Sequence, residues 1–286
     1  MRTETFATPG HVTLDIKLGA GEIRVETGSA TETIVELEPL RDDDATREAV
    51  ESARVEARDR GDGHEVTVDV SKSGRRFGRG PQVRISISAP EGADLECRSG
   101  SADIEGRGRF GEIDIESGSG DIQLQEIGGN AKVNAASGDI RIATVGGDAR
   151  LNSASGDIQV RAITGGAKVN SASGDIQLRE VGGELQANSA SGDVHVSEVG
   201  GGGSVNTASG DVEIGAVKQG SFSFKSASGD LRVGIRAGSR LHVDARSRSG
   251  EVSSELDVTG EETDEAGPLV ELRATTMSGD IHVLRA

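Results

Sequence analysis

The sequence predicts an all-β fold, a single-chain β-solenoid of about ten coils on an 18-residue period, with one α-helix near the N-terminus. Three observations predict it. One short motif recurs at a fixed step, apolar residues alternate with polar ones inside each motif, and the chain has almost no bulky aromatics to fill a rounded core.

The step is set by the acidic residue after glycine, or after Ala102 at the first rung. Asp103, Asp121, Asp139, Asp157, Asp175, Asp193 and Asp211 follow one another at intervals of 18, and Asp230, Glu251 and Asp280 continue at 19, 21 and 29. One unit reads "VGGDARLNSASGDIQVRA". Asparagines hold one position of it (Asn134, Asn152, Asn170, Asn188, Asn206), alanines another (Ala136 to Ala227), and aliphatics a third (Ile127 to Val217).

Within a unit the apolar period is two: Ile158 and Val160 flank Gln159, as in a half-buried strand. Gly-Gly and Ser-Gly-Asp stand at the strand ends, where turns are required. Each unit therefore supplies two or three short strands, each pairing in parallel with its counterpart one coil away. A β-sandwich is the competing arrangement, but its hairpins give no reason for identical residues at identical steps. The left-handed hexapeptide pattern is not matched, so the expected hand is right.

Residues 1–95 form an N-terminal β region continuous with the solenoid, 96–256 the regular repeat, and 257–286 an acidic loop with a closing coil. Strands are expected at Val12–Leu18, Thr33–Leu37, Glu65–Val70 and Val83–Ser88. Between them "RDDDATREAVESARVEARDR" spaces Ala45, Ala49, Ala53 and Ala57 four apart behind an acidic first turn. This predicts a helix over about 42–58 that covers one end of the rod. At the far end "DVTGEETDEAGP" reads as an exposed acidic loop, and "ELRATTMSGDIHVLRA" as the last coil of the stack.

The chain has 286 residues, 42 glycines, five phenylalanines and no Trp or Tyr, so its interior is thin and aliphatic. A net charge of −17 disfavours nucleic acid and anionic membranes and leaves cations and basic partners open, and a protein is the expected partner. Cys97 is the single cysteine, which excludes an intrachain disulfide. No apolar run approaches the roughly 20 residues of a membrane-spanning helix. "MRTETFATPGHVTL" has no apolar signal core, and a cytoplasmic location is expected.

With "VTLDIKLGAGEIRVE", the Ser-Gly-Asp repeats and the closing "SGDIHVLRA" in view, the chain resembles a bacterial β-strand-repeat family of unknown function labelled "putative adhesin". That resemblance covers nearly the whole length. It implies a β-solenoid and brings no catalytic residues with it.

Five aspartates of the repeat (Asp139, Asp157, Asp175, Asp193, Asp211) are the candidate cation ligands, since hard cations prefer oxygen donors. The competing role is structural, each carboxylate accepting turn amides. The Asn column is expected to bond with itself and lock register. Strict alternation puts Asn134 and Ala136 outside, whereas a bend near Asn134 turns both inward, an arrangement the uniformly small alanines favour. Lys132, Arg150 and Lys168 form a basic stripe expected to offset neighbouring carboxylates. In "SKSGRRFGRGP", Lys72, Arg75, Arg76, Phe77 and Arg79 are the best local candidates for partner contact.

No nucleophile, phosphate-loop or zinc-protease signature occurs, and the histidines lack paired metal-ligand spacing. No cofactor is expected. The expected function is a non-enzymatic scaffold or protein-interaction surface; self-assembly through solenoid edges and a cation- or glycan-binding surface adhesin are the alternatives.

Overall fold

A computed structural model describes residues 1–61, 63–70, 80–255 and 267–286. The chain divides into two compact units, Met1–Gly146 and Gly147–Ala286. Both are β-solenoids built from one two-strand coil, with an A strand (Ala167–Ser173, for example) and a B strand (Ile176–Val181).

Unit 2 shows the rule most plainly. A strands pair in parallel with A strands and B with B: Asn170 lies beside Asn188, and Ile176 beside Val194. The 18-residue step is thus a register of zero, and every column of identical residues in the sequence is a column in space. Inward residues alternate with outward ones as the pleat requires. Leu151, Val169 and Ala187 are buried from the A strands, and Ile158, Ile176 and Val194 from the B strands.

The Ser-Gly-Asp corner explains why glycine holds this position in every later rung after Ala102, which has no positive φ. Gly174, Gly192, Gly210 and Gly229 all have φ between +119° and +134°, a region that L side chains rarely adopt. A Cβ on any of them would also press into the carbonyl oxygen of the equivalent glycine one coil back. Conformation and stacking therefore each demand the residue.

The order of coils departs from chain order in both units. In unit 2 the A strand Leu269–Ser278 pairs on one side with Gly220–Ser228 and on the other with Arg240–Ser247. Its B strand, Ile281–Arg285, lies likewise between Leu231–Ile235 and Val252–Ser254. The closing segment is therefore the penultimate layer of unit 2, not the last one expected from the sequence. Residues 240–254 form the outermost coil, and its inward Leu241, Val243 and Ala245 are only half-buried because no further coil of the described residues covers them.

Unit 1 repeats the device. The long strand Val12–Gly28 lies between Asp94–Phe110 on one side and the pair Gly63–Asp69 and Val83–Pro90 on the other. Beyond that layer, pairing turns antiparallel. Glu32–Pro39 pairs with Val83–Pro90, Arg2–Ala7 with Glu32–Pro39, and Arg54–Arg60 with Gly63–Asp69.

The helix is shorter than its alanine spacing predicts. It runs Asp44–Ser52, and Ala57 lies on the strand Arg54–Arg60. Its buried face is Thr46, Ala49 and Val50; of the alanine stripe, Ala49 and Ala53 are buried and Ala45 is exposed. Asp43 caps the N-terminus by accepting the Thr46 N–H at 2.8 Å, a bond that holds the Asp43 carboxyl below the usual carboxylate range. At the other end the Arg2 guanidinium donates to the carbonyls of Glu51 and Ala53 at 3.2 and 2.6 Å. The helix packs on Glu32–Pro39 and Val83–Pro90. Among the described residues, the free strand edges here belong to Arg2–Ala7 and Arg54–Arg60, whose charges discourage further pairing. The cap expected of the helix is thus shared with two charged edge strands.

Candidate functional site

Two features of the surface are built by the stacking itself. The first is a set of ladders. In unit 2 the backbone N–H of Asp175 donates to Asp157 Oδ1 at 2.9 Å, Asp193 to Asp175 at 2.9 Å, and Asp211 to Asp193 at 2.8 Å. In unit 1, Asp139 does the same to Asp121 at 3.0 Å. One oxygen of each accepting carboxylate is thus committed to the next coil's turn. Among the described residues, no three His, Cys, Asp or Glu side chains form a group able to hold a metal.

Beside this ladder runs another. Asn170 donates through Nδ2 to Asn152 Oδ1 at 2.7 Å, Asn188 to Asn170 at 2.8 Å and Asn206 to Asn188 at 3.0 Å. The amides are outward and half-buried by one another, and Ala154, Ala172, Ala190 and Ala208 beside them are exposed. No bend turns either column inward. The inward position belongs to the serine between them: Ser171 and Ser189 are 6% exposed and donate to the Gly174 and Gly192 carbonyls. The small inward residue at this corner is therefore serine, not the alanine that the sequence suggested.

In the basic stripe, Lys132 pairs with Asp114 at 3.0 Å, as expected of a charge offsetting its neighbours, while Arg150 and Lys168 are exposed side by side. The contact candidates Lys72, Arg75, Arg76, Phe77 and Arg79 lie outside the described residues, as does most of the acidic 257–268 segment. Burial pushes the Cys97 thiol up to about 12, which makes it a poor nucleophile.

The second feature is a groove of about 390 Å³ on the outer B side of unit 1. Its floor is the small pair Ser86 and Ser88 on Val83–Pro90. One wall is Ile34 and Glu36 from the antiparallel neighbour, the other Arg24 and Glu26 from Val12–Gly28, with Glu105 and Arg107 behind. Glu22 just outside accepts from Arg24 and Arg84, both at 2.9 Å. The Arg84 guanidinium holds its carboxyl below the usual range. The groove's residues come from four separated segments, so no local motif announces it. The only hint is the outward serine pair in "RISIS" among strands whose outward positions carry charge.

A model of the family described as Toastrack DUF4097 matches residues 21–200 and 183–284. The chain belongs to this family. The Toastrack assignment agrees with the resemblance seen in the repeats, and the parallel zero-register stack is the form the fold takes here. Among solved structures, this Toastrack chain is similar to a "putative adhesin" from Bacteroides fragilis, at 14% identity over 99% of this chain and 96% of that one, with a TM-score of 0.41. A "putative adhesin" from Parabacteroides merdae matches at 11% identity over 99% and 96%, with a TM-score of 0.43. A "putative cell adhesion protein" from Clostridium sporogenes matches at 10% over 100% and 99%, with a TM-score of 0.24. No curated protein matches the sequence.

Proposed function

We propose that the chain is a non-enzymatic cytoplasmic scaffold whose repeat face in unit 2 binds an extended protein partner. The observation that carries this reading is the Asn–Ala face. Its amides are bonded to one another, its alanines are exposed, and the two columns advance by one strand spacing, about 4.8 Å, per coil. These two columns are pre-ordered and uncharged, so a partner meets little desolvation or ordering cost on them.

The experiment is a comparative pull-down followed by a direct binding assay with the recovered partner. Glu in place of Ala154, Ala172 and Ala190 puts three charges on the face without touching the interior. The reading expects the wild-type chain to hold a partner that the triple variant, folded by melting curve, releases. Equal retention by both contradicts it.

A second reading, self-association at the end of unit 2, is favoured by one observation. The strand Arg240–Ser247 pairs on one side only among the described residues, and its inward Leu241 and Val243 are half-exposed beside Val252, which is 45% exposed. Open edges of this kind template further pairing. Sedimentation velocity across a concentration series tests it: a mass that rises with concentration supports it, and a constant monomer removes it.

A further inference from the structure

We propose that the groove over Ser86 and Ser88 in unit 1 binds a basic peptide segment, Glu26 and Glu36 each receiving one cationic side chain. The groove belongs to unit 1 alone, and the proposal is independent of what the repeat face in unit 2 binds.

The argument begins with a charge count. Five carboxylates (Glu22, Glu26, Glu36, Glu38, Glu105) and three guanidiniums (Arg24, Arg84, Arg107) stand in and around the groove. Arg84 is taken up by Glu22 at 2.9 Å and Glu38 at 3.3 Å. Arg24 is taken up by Glu22 at 2.9 Å, with Glu105 at 4.0 Å. Arg107 bonds Glu105 at 2.6 Å. Three carboxylates are thereby matched to three cations, and Glu26 and Glu36 are left over. Neither makes an ion pair or hydrogen bond among the described residues, and the floor hydroxyls of Ser86 and Ser88 are equally unengaged.

Geometry then selects the ligand. Glu36 stands on the strand flanking one side of the serine floor and Glu26 on the strand flanking the other. The walls are thus two strand spacings apart, about 10 Å between backbones. An extended segment laid along the floor points successive side chains to opposite sides, so two consecutive basic residues present one cation to each wall. Its backbone amides lie over the serine hydroxyls, and Ile34 covers part of an aliphatic stem, where long basic side chains bury their methylenes. All of these positions sit on paired strands, so the site is formed before the ligand arrives.

The test is calorimetric titration of the full chain at low ionic strength with acetyl-Gly-Lys-Lys-Gly-amide. The same peptide with norleucine in place of lysine and free spermidine serve as comparison arms. The lysine peptide is expected to bind and to weaken with added salt, while the norleucine peptide does not bind. Glu26→Gln and Glu36→Gln are each expected to weaken binding about tenfold, the weight of one charge-assisted contact. Neither side chain has a partner to lose, so both variants should melt as the wild type does. No binding of the lysine peptide at millimolar concentration, or binding unchanged in the double variant, overturns the proposal. Spermidine binding more tightly than the peptide also overturns it, because a free polyamine would then be the ligand.

Discussion

Asp280 donates its backbone N–H to Oδ1 of Asp230 at 2.9 Å, across fifty residues of sequence. Glu251, which precedes Asp280 in the chain, stands beyond it in the stack and donates to Asp280 Oδ1 at 2.8 Å. The aspartate ladder therefore runs 211, 230, 280, 251. Residues 269–285 thus enter between two layers formed by earlier segments and bond the end of unit 2 on both sides.

A chain ending at Glu255 loses this layer. Strands Gly220–Ser228 and Arg240–Ser247 would then lose a shared partner at once, together with buried Val270, Leu272, Ala274, Ile281 and Val283. We expect residues 240–254 to lose all hydrogen-exchange protection and unit 2 to unfold at a clearly lower denaturant concentration. A truncation that leaves protection of 240–247 intact would show that this strand does not depend on the closing segment.

The positive-φ Ser-Gly-Asp turn glycines of unit 2 should be intolerant of any side chain. Gly192→Ala places a Cβ at φ +119° and against the Gly174 carbonyl oxygen, and a loss of more than about 2 kcal/mol is expected. Gly10 also has a positive φ, +96°, but open space around it. Gly10→Ala should cost only about 1 kcal/mol, the backbone component alone. Equilibrium denaturation of the two variants separates conformation from stacking.

The aspartate ladder makes a prediction that distinguishes hydrogen bonding from charge. Asp193→Ala leaves the Asp211 N–H without its acceptor and should cost about 1–2 kcal/mol. Asp193→Asn keeps an oxygen at the same place and should stay within about 0.5 kcal/mol of wild type. If Asn is as damaging as Ala, the carboxylate's charge carries the stabilisation instead.

Cys97 is 1% exposed and its thiol is pushed up to about 12 by burial. At pH 8 it is protonated and enclosed, so a thiol reagent should label it only as fast as the surrounding strands open. Labelling should accelerate steeply at the denaturant concentration where unit 1 unfolds. Rapid labelling of the native chain would contradict the burial.

What the sequence revealed and what it hid follow from one distinction. Neighbours one coil apart carry the same residues at the same step, so the period of 18 discloses strand direction, register and the self-bonding of the Asn column, but not which way that column faces or what the Asp column does. Layer order at the ends is not a local property. The interval of 29 before Asp280 looks like a loop insertion, although it conceals a change of layer. One trace was visible: Glu stands at 251, the rung that donates to Asp280 but has no next rung to accept from among the described residues. The helix boundary was hidden because "RVEARDR" satisfies a spacing of four and an alternation of two equally well, and pairing with Gly63–Asp69 decided for the strand. Glu26, Glu36, Ser86 and Ser88 were illegible as a site because nothing in their local sequences relates them. Only the antiparallel and layered pairings of unit 1 bring them together.

The most direct measurement is disulfide trapping at the end of unit 2, in a Cys97→Ala background. Lys225, Thr275 and Arg246 form one exposed column in that order. Lys225→Cys with Thr275→Cys places two cysteines on adjacent strands, within reach of a bond. Lys225→Cys with Arg246→Cys leaves them two strands apart, about 10 Å and beyond reach. The interlocked stack predicts rapid closure of the first pair and none of the second; closure of the second pair, with the first left open, would return the coils to chain order and contradict it.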